Sequence, residues 1–160
     1  MDSILAIVIT VVSGVLVFII GEILNTIWLK PLYEFKTIKS KIAYELSYDA
    51  GKICNVLNRK NCNEIQKREY EKARERIRAL ACELDGYIET ISWFNIGIPS
   101  RKKLKKAVSD LFYLSHLLEG TDRDDLTEKS VRNSNIVITI KRNVGIYGSK
   151  KEKIYDLDEK

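Results

Sequence analysis

Few residues in this chain have a type and setting suited to chemistry. Glu22 is the only ionisable side chain between Ile4 and Leu29, a stretch dominated by apolar residues. A carboxylate in hydrocarbon costs about 3 kcal/mol or more, so Glu22 belongs at an interface, beside a partner or in a water-filled path. Repeated around a ring of subunits it would form an acidic collar of the kind cation channels use. Taken singly, it is a carboxylate at the inner headgroup level. The second group is Arg101, Lys102, Lys103, Lys105 and Lys106, five basic residues within six positions. Such a cluster suits phosphate, whether from an anionic lipid, a nucleotide or an oligonucleotide.

The other candidates lead away from enzymology. His116 is the only histidine, which nearly excludes His-based metal sites and proton relays, and its helical context favours a partly exposed position. Cys54, Cys62 and Cys82 are odd in number and lack metal spacing, as fits reduced thiols in the cytosol. Asp122, Asp124 and Asp125 miss the calcium-loop spacing and suit the opening of a helix instead. There is no phosphate-binding glycine loop, no Gly-x-Ser-x-Gly and no paired-histidine motif. The expectation is a non-enzyme with no catalytic residue, no cofactor and no metal.

The element that must position these residues is the N-terminus. Ile4 to Ile20 is a run of 17 uncharged residues, and apolar residues still dominate to Leu29. As a helix the run spans about 25 Å, or about 39 Å when extended to Leu29, enough for one transmembrane helix. A secretory leader would need a basic start and a small-residue cleavage site, and Met1-Asp2-Ser3 and the residues after Ile20 supply neither. Residues 1–29 lack Lys and Arg, whereas Lys30, Lys36, Lys39 and Lys41 crowd the exit. The charge bias places the N-terminus outside and the remainder in the cytoplasm, with Trp28 and Lys30 at the inner interface.

One side of this helix is small and polar. Ser3, Thr10, Ser13, Gly14, Gly21 and Asn25 fall within about 120° of one another on a helical wheel, and Val17 lies on the same side. Such residues let helices approach closely, so the stripe points to a homo-oligomer, with Val17 able to form a dewetting constriction and Glu22 grouped with the stripe as a pore feature. Chance placement of Gly and Ser in a single span is the alternative.

Beyond the span the pattern is all-α. The chain has 160 residues and a net charge of +5; residues 1–29 contribute only Asp2 and Glu22, leaving +7 for the rest. That suits a neighbour of anionic lipid or nucleic acid. Phe35, Ile38, Ile42, Leu46, Ala50, Ile53 and Leu57 predict an amphipathic helix over 31–58, with Pro31 marking a bend or a fresh start. Asn63 with Gln66 predicts a capping box opening a second helix over 64–92, whose buried face is Ala73, Ile77, Leu80, Leu84, Tyr87 or Ile88, and Ile91. Lys67, Arg68, Lys72, Glu75, Arg76 and Glu83 form its solvated face.

The two helices are of similar length and should form an antiparallel hairpin that returns the chain to the membrane. There Trp93, Phe94, Ile96 and Ile98, beside the basic cluster, predict an interfacial anchor, with a buried inter-helix loop as the alternative. Ser100 should cap a third helix with core positions Leu104, Ala107, Val108, Leu111, Leu114, Ser115 and Leu118. Ile136, Ile140 and Val144 keep helical spacing, although Ile136 to Ile140 is β-branched enough for a strand; a fourth helix ending at Gly145 is expected. The expected organisation is a transmembrane helix over 1–30, a cytoplasmic bundle of three or four helices over 31–146 and a flexible charged tail over 147–160.

The span ending at Gly21-Glu22, then Lys30-Pro31, Ile42-Ala43-Tyr44-Glu45-Leu46, Pro99-Ser100-Arg101-Lys102, Ala107 and Leu114-Ser115, resembles a group of small bacterial single-pass membrane proteins. In outline the chain is also similar to Hailong-type membrane effectors of anti-phage systems, and that resemblance implies an oligomeric channel. Three functions fit these features. One is a homo-oligomeric membrane effector whose bundle gates an ion pore. Another is a non-conducting tethered scaffold that recruits a partner protein. The last is a membrane-bound sensor of an anionic nucleotide or oligonucleotide.

Overall fold

The first helix never ends where the apolar run does. In the computed structural model, which describes residues 2–55, 57, 62–91, 97–119 and 126–146, α1 (Asp2–Leu24) passes through a π-helical turn (Asn25–Leu29) into α2 (Lys30–Tyr48). Pro31, near the start of α2, explains the widened turn. A proline inside a helix lacks an N–H and crowds the carbonyl four residues back, and a π turn opens that contact without ending the rod. The fresh start considered for Pro31 is therefore not what forms: Ala6–Tyr48 is one helix of 43 residues, crossing the expected 30/31 boundary unbroken.

The amphipathic helix expected over 31–58 is shorter. It breaks at Asp49 and resumes as α3 (Ala50–Cys54). The face also differs by one position: Ala50 is exposed and Asp49 is fully buried. A period of 3.6 residues counted from Phe35 falls between positions 49 and 50. Hydrophobicity alone favours Ala50, but Asp49 has a cation waiting inside.

Helices α4 (Glu64–Thr90), α5 (Arg101–Leu117) and α6 (Leu126–Val144) complete the fold. Among the described residues 89% are helical and none is in a strand, so the β-branched stretch at 136–140 is helix. The capping box forms as expected, with Gln66 N–H donating to Asn63 Oδ1 at 2.7 Å and Asn63 N–H to Gln66 Oε1 at 3.2 Å. Ser100 stands at the N-cap of α5 but makes no side-chain capping bond, correcting that expectation; its carbonyl instead accepts from Lys103 and Leu104.

Cross-helix pairs fix the directions. Phe35 stacks on Tyr87, Lys41 pairs with Glu83, and Glu45 and Asp49 with Arg76, so α2 and α4 are antiparallel. Glu89 meets Arg101 while Arg74 approaches Glu119, so α4 and α5 are antiparallel as well. Arg132 lies over the Tyr113 ring, Pro99 lies beside Gly145, and α6 also packs on α2 and α3. The result is an up-down-up-down four-helix bundle. Its core takes Ile42 and Leu46 from α2, Ile77 and Leu84 from α4, Leu104 and Leu111 from α5, and Ile140 and Val144 from α6. Both Tyr87 and Ile88 are buried, and all seven core positions expected on α5 are too.

Candidate functional site: the span and the adjoining bundle end

The large apolar side chains of α1 touch no core. Those from Ile7 to Leu24 are all exposed, Phe18 to 73% and Val17 to 71%. One N-terminal helix is thus long and apolar enough to cross a membrane. Within it, Thr10 donates to Ala6 O and Ser13 to Thr10 O, each at 2.9 Å. Both hydroxyls are satisfied by their own helix, which makes them compatible with hydrocarbon. Ser3, Thr10, Ser13, Gly14, Val17 and Gly21 are exposed, and nothing approaches within 4 Å of where a Cβ would sit on Gly14 or Gly21. Asn25, at the start of the π turn, is half-buried. Glu22 is exposed, but stands about 110° around the helix from the stripe's centre, so the two do not share a face.

The bundle end nearest the span is defined by contacts at the level of Pro31. Tyr87 Oη donates to Pro31 O at 2.8 Å, and Leu32 Cδ1 lies 3.5 Å from the Cβ position on Gly97. Gly97 has φ +88° and Gly145 φ +75°, left-handed conformations that favour glycine at the turn into α5 and at the end of α6. This end carries Lys30, the whole 101–106 cluster, and Lys141 and Arg142 from the last turn of α6. The contribution of α6 was missed in the sequence, although an even number of antiparallel helices puts its C-terminus there.

The basic cluster is partly occupied. Glu89 Oε2 takes Arg101 Nη2 at 2.8 Å and its Oε1 lies 3.4 Å from Lys105 Nζ; these cations hold the Glu89 carboxyl below the usual range. Lys102 and Lys103 are exposed and form no ion pair among the described residues. Lys106 lies near Asp110, whose carboxyl is pushed up by burial and pulled down less by that lysine. Trp28 is 38% exposed and Lys30 is exposed, as an interfacial position requires. Trp93, Phe94 and Ile96 lie outside the described residues. Ile98 is half-buried and packs against the bundle core.

No family model, curated protein or solved structure matches this chain.

Among the described residues, open clefts lie elsewhere, two of them of similar size. One of about 410 Å³ lies at the end away from the span, between Leu57, Cys62, Lys67, Tyr70, Arg74 and Glu119. The other, about 440 Å³, is a groove between α2 and α4 lined by Tyr33, Glu34, Thr37, Glu83, Tyr87 and Thr90. Neither contains the 101–106 cluster. Among the described residues no group of three His, Cys, Asp or Glu side chains is placed to hold a metal. Cys54 Sγ lies 3.8 Å from Ser134 Oγ, and His116 is exposed beside Glu119 at the end of α5.

Arg76, expected on a solvated face, is the principal correction on α4. Its Nη2 reaches both Asp49 carboxylate oxygens, at 2.8 and 2.7 Å, and its Nε reaches Glu45 at 3.0 Å. Lys52 adds a bond to Asp49 at 3.0 Å. The network explains how a carboxylate is tolerated inside the bundle: charge-assisted bonds from Arg76 Nη2 and from the Lys52 ammonium replace lost water.

Proposed function

We propose that this chain is a single-span membrane effector that works as a homo-oligomer, its spans lining an ion pore and its helical bundle seated on the cytoplasmic headgroup layer. The observation that carries this is the unbroken Ala6–Tyr48 helix, because a rod shared by span and bundle core transmits any tilt of one to the other. The location of Lys30, Arg101, Lys102, Lys103, Lys106, Lys141 and Arg142 around the base of that rod supports seating on anionic lipid. The small side of α1, unfilled at Gly14 and Gly21, supports association through the span. Recordings from purified oligomer in planar bilayers test conduction. Discrete openings are expected, and a silent oligomer overturns the pore.

A tethered scaffold is the second reading, and it has its own observation. Thr10 and Ser13 turn their hydroxyls onto their own backbone, which leaves the stripe less polar than a wet pathway requires. Co-purification with one stoichiometric partner protein, without conductance, would decide for it. The nucleotide or oligonucleotide sensor has least support, since Glu89 engages Arg101 and Lys105 and neither cleft contains the cluster.

A further inference from the structure

The side of α2 turned away from the bundle carries Tyr33, Thr37, Ser40, Tyr44 and Tyr48, spaced by three or four residues. Its tyrosines are 63 to 65% exposed, and Tyr44 and Tyr48 stack on each other at 5.8 Å. Exposed, ordered tyrosines at this spacing are what a helix presents to other helices.

The π turn decides where this face points. Lys30 N–H bonds to Asn25 O, five residues back, so the turn holds one residue more than an α-helix and sets α2 back by about 100°. Without it, the buried face of α2 (Phe35, Ile38, Ile42 and Leu46) would lie within about 45° of the small side of α1, and the bundle would overhang that side. With it, the bundle lies about 145° away, and the tyrosine face comes within about 50° of the small side. One side of the rod is therefore turned away from the bundle from Ser3 to Tyr44, and at Tyr48 the Arg76 guanidinium of α4 reaches over the ring at 5.4 Å.

The flanks of the tyrosine face are complementary in charge. Lys36 lies on one flank, over the Tyr33 ring at 5.7 Å. On the other is the groove between α2 and α4, where Glu34 is exposed and Glu83 already pairs with Lys41. A flank that fits the opposite flank of an identical molecule generates a head-to-tail contact, which closes into a ring when the rotation between neighbours divides a full turn.

We infer that copies of this chain assemble head to tail above the membrane, the Lys36 flank of one α2 against the Glu34 groove of the next. The tyrosine face is turned to the shared axis over the small sides of the spans. The inference rests on the homo-oligomer reading and adds where and in what register the copies meet. A second copy is the occupant because the neighbour must rise from the bilayer alongside the same rod and carry the opposite flank.

The test uses the full chain in nanodiscs, with Cys54→Ser, Cys62→Ser and Cys82→Ser as background. Glu34→Cys and Lys36→Cys are placed singly and together, and oxidative cross-linking is read beside the particle mass. The expected result is an oligomeric mass, with a ladder of cross-linked species in the double variant and at least several-fold less in either single one. An oligomeric mass without the ladder overturns this contact and leaves the oligomer reading standing. A monomeric mass ends both. Charge reversal supplies a second measurement on the chain with its own cysteines. Glu34→Lys is expected to lower the oligomeric fraction and Glu34→Lys with Lys36→Glu to restore it; no rescue overturns the pairing. Deleting Thr26 from the π turn is expected to abolish the ladder, and an undiminished ladder overturns the register.

Discussion

Asp49 illustrates what the bundle asks of individual side chains. It is fully buried at the point where α2 gives way to α3, and Arg76, Lys52 and the α2 carboxylate Glu45 surround it in a mixed-charge network. Removing one partner from a buried pair is destabilising because a charge is left uncompensated. Arg76→Leu is expected to lower stability by about 2 kcal/mol rather than the larger values for full isolation, since Lys52 remains in place. Asp49→Leu combined with Arg76→Leu should recover most of the loss in thermal unfolding in detergent. A double variant as weak as the single one would contradict the network.

Tyr87 gives a pH signature: burial, aided by the nearby Glu34 charge, pushes its hydroxyl up to about 12. Its folded value is above the unfolded one, so its contribution is complete below pH about 10, falls as the unfolded chain ionises and is gone above about 12. Tyr87→Phe should flatten the loss of thermal stability between about pH 10 and 12, leaving a remainder from Tyr70, which is also raised by burial. An unchanged alkaline slope would refute this role.

At the level of elements, glycines with different backbones should respond oppositely. Gly51 sits in α3 with no atom within 4 Å of a prospective Cβ, and its φ is not positive. Gly51→Ala is expected to stabilise by roughly 0.5 to 1 kcal/mol through helix propensity. Gly145→Ala, at φ +75°, should destabilise by about 1 kcal/mol. Melting temperatures that move the same way for both would contradict the assigned backbone. The helices themselves were legible because periodicity reports burial: α5 was read correctly at every core position, and the capping box of α4 from Asn63 and Gln66 alone. Asp49 and the π turn were not legible. The first is a polar residue on a buried face, explained by Lys52 one turn on and by an arginine 27 residues away. The second is a one-residue change of phase that leaves the composition of Asn25–Leu29 looking like ordinary helix.

For the whole molecule, an apolar rod exposed along α1 is joined without a break to a packed bundle whose basic end surrounds the junction. The sequence showed the apolar run and the basic cluster, yet it did not bring α6 to the same end. That step depends on the count and direction of the helices, which packing decides. It also paired Glu22 with the small stripe as a pore feature, whereas helical phase separates them. Glu22→Gln is therefore expected to change cation selectivity far less than a substitution on the stripe, such as Val17→Asp, in single-channel reversal potentials; the opposite order would place Glu22 on the axis.

The central claim is that α1 lies in lipid while the bundle does not. Alkaline carbonate extraction of membranes from cells expressing the full chain tests it most directly. The chain should stay in the lipid pellet and leave it for the supernatant only when Ile4–Ile20 is deleted. Release of the intact chain by carbonate alone would contradict the account.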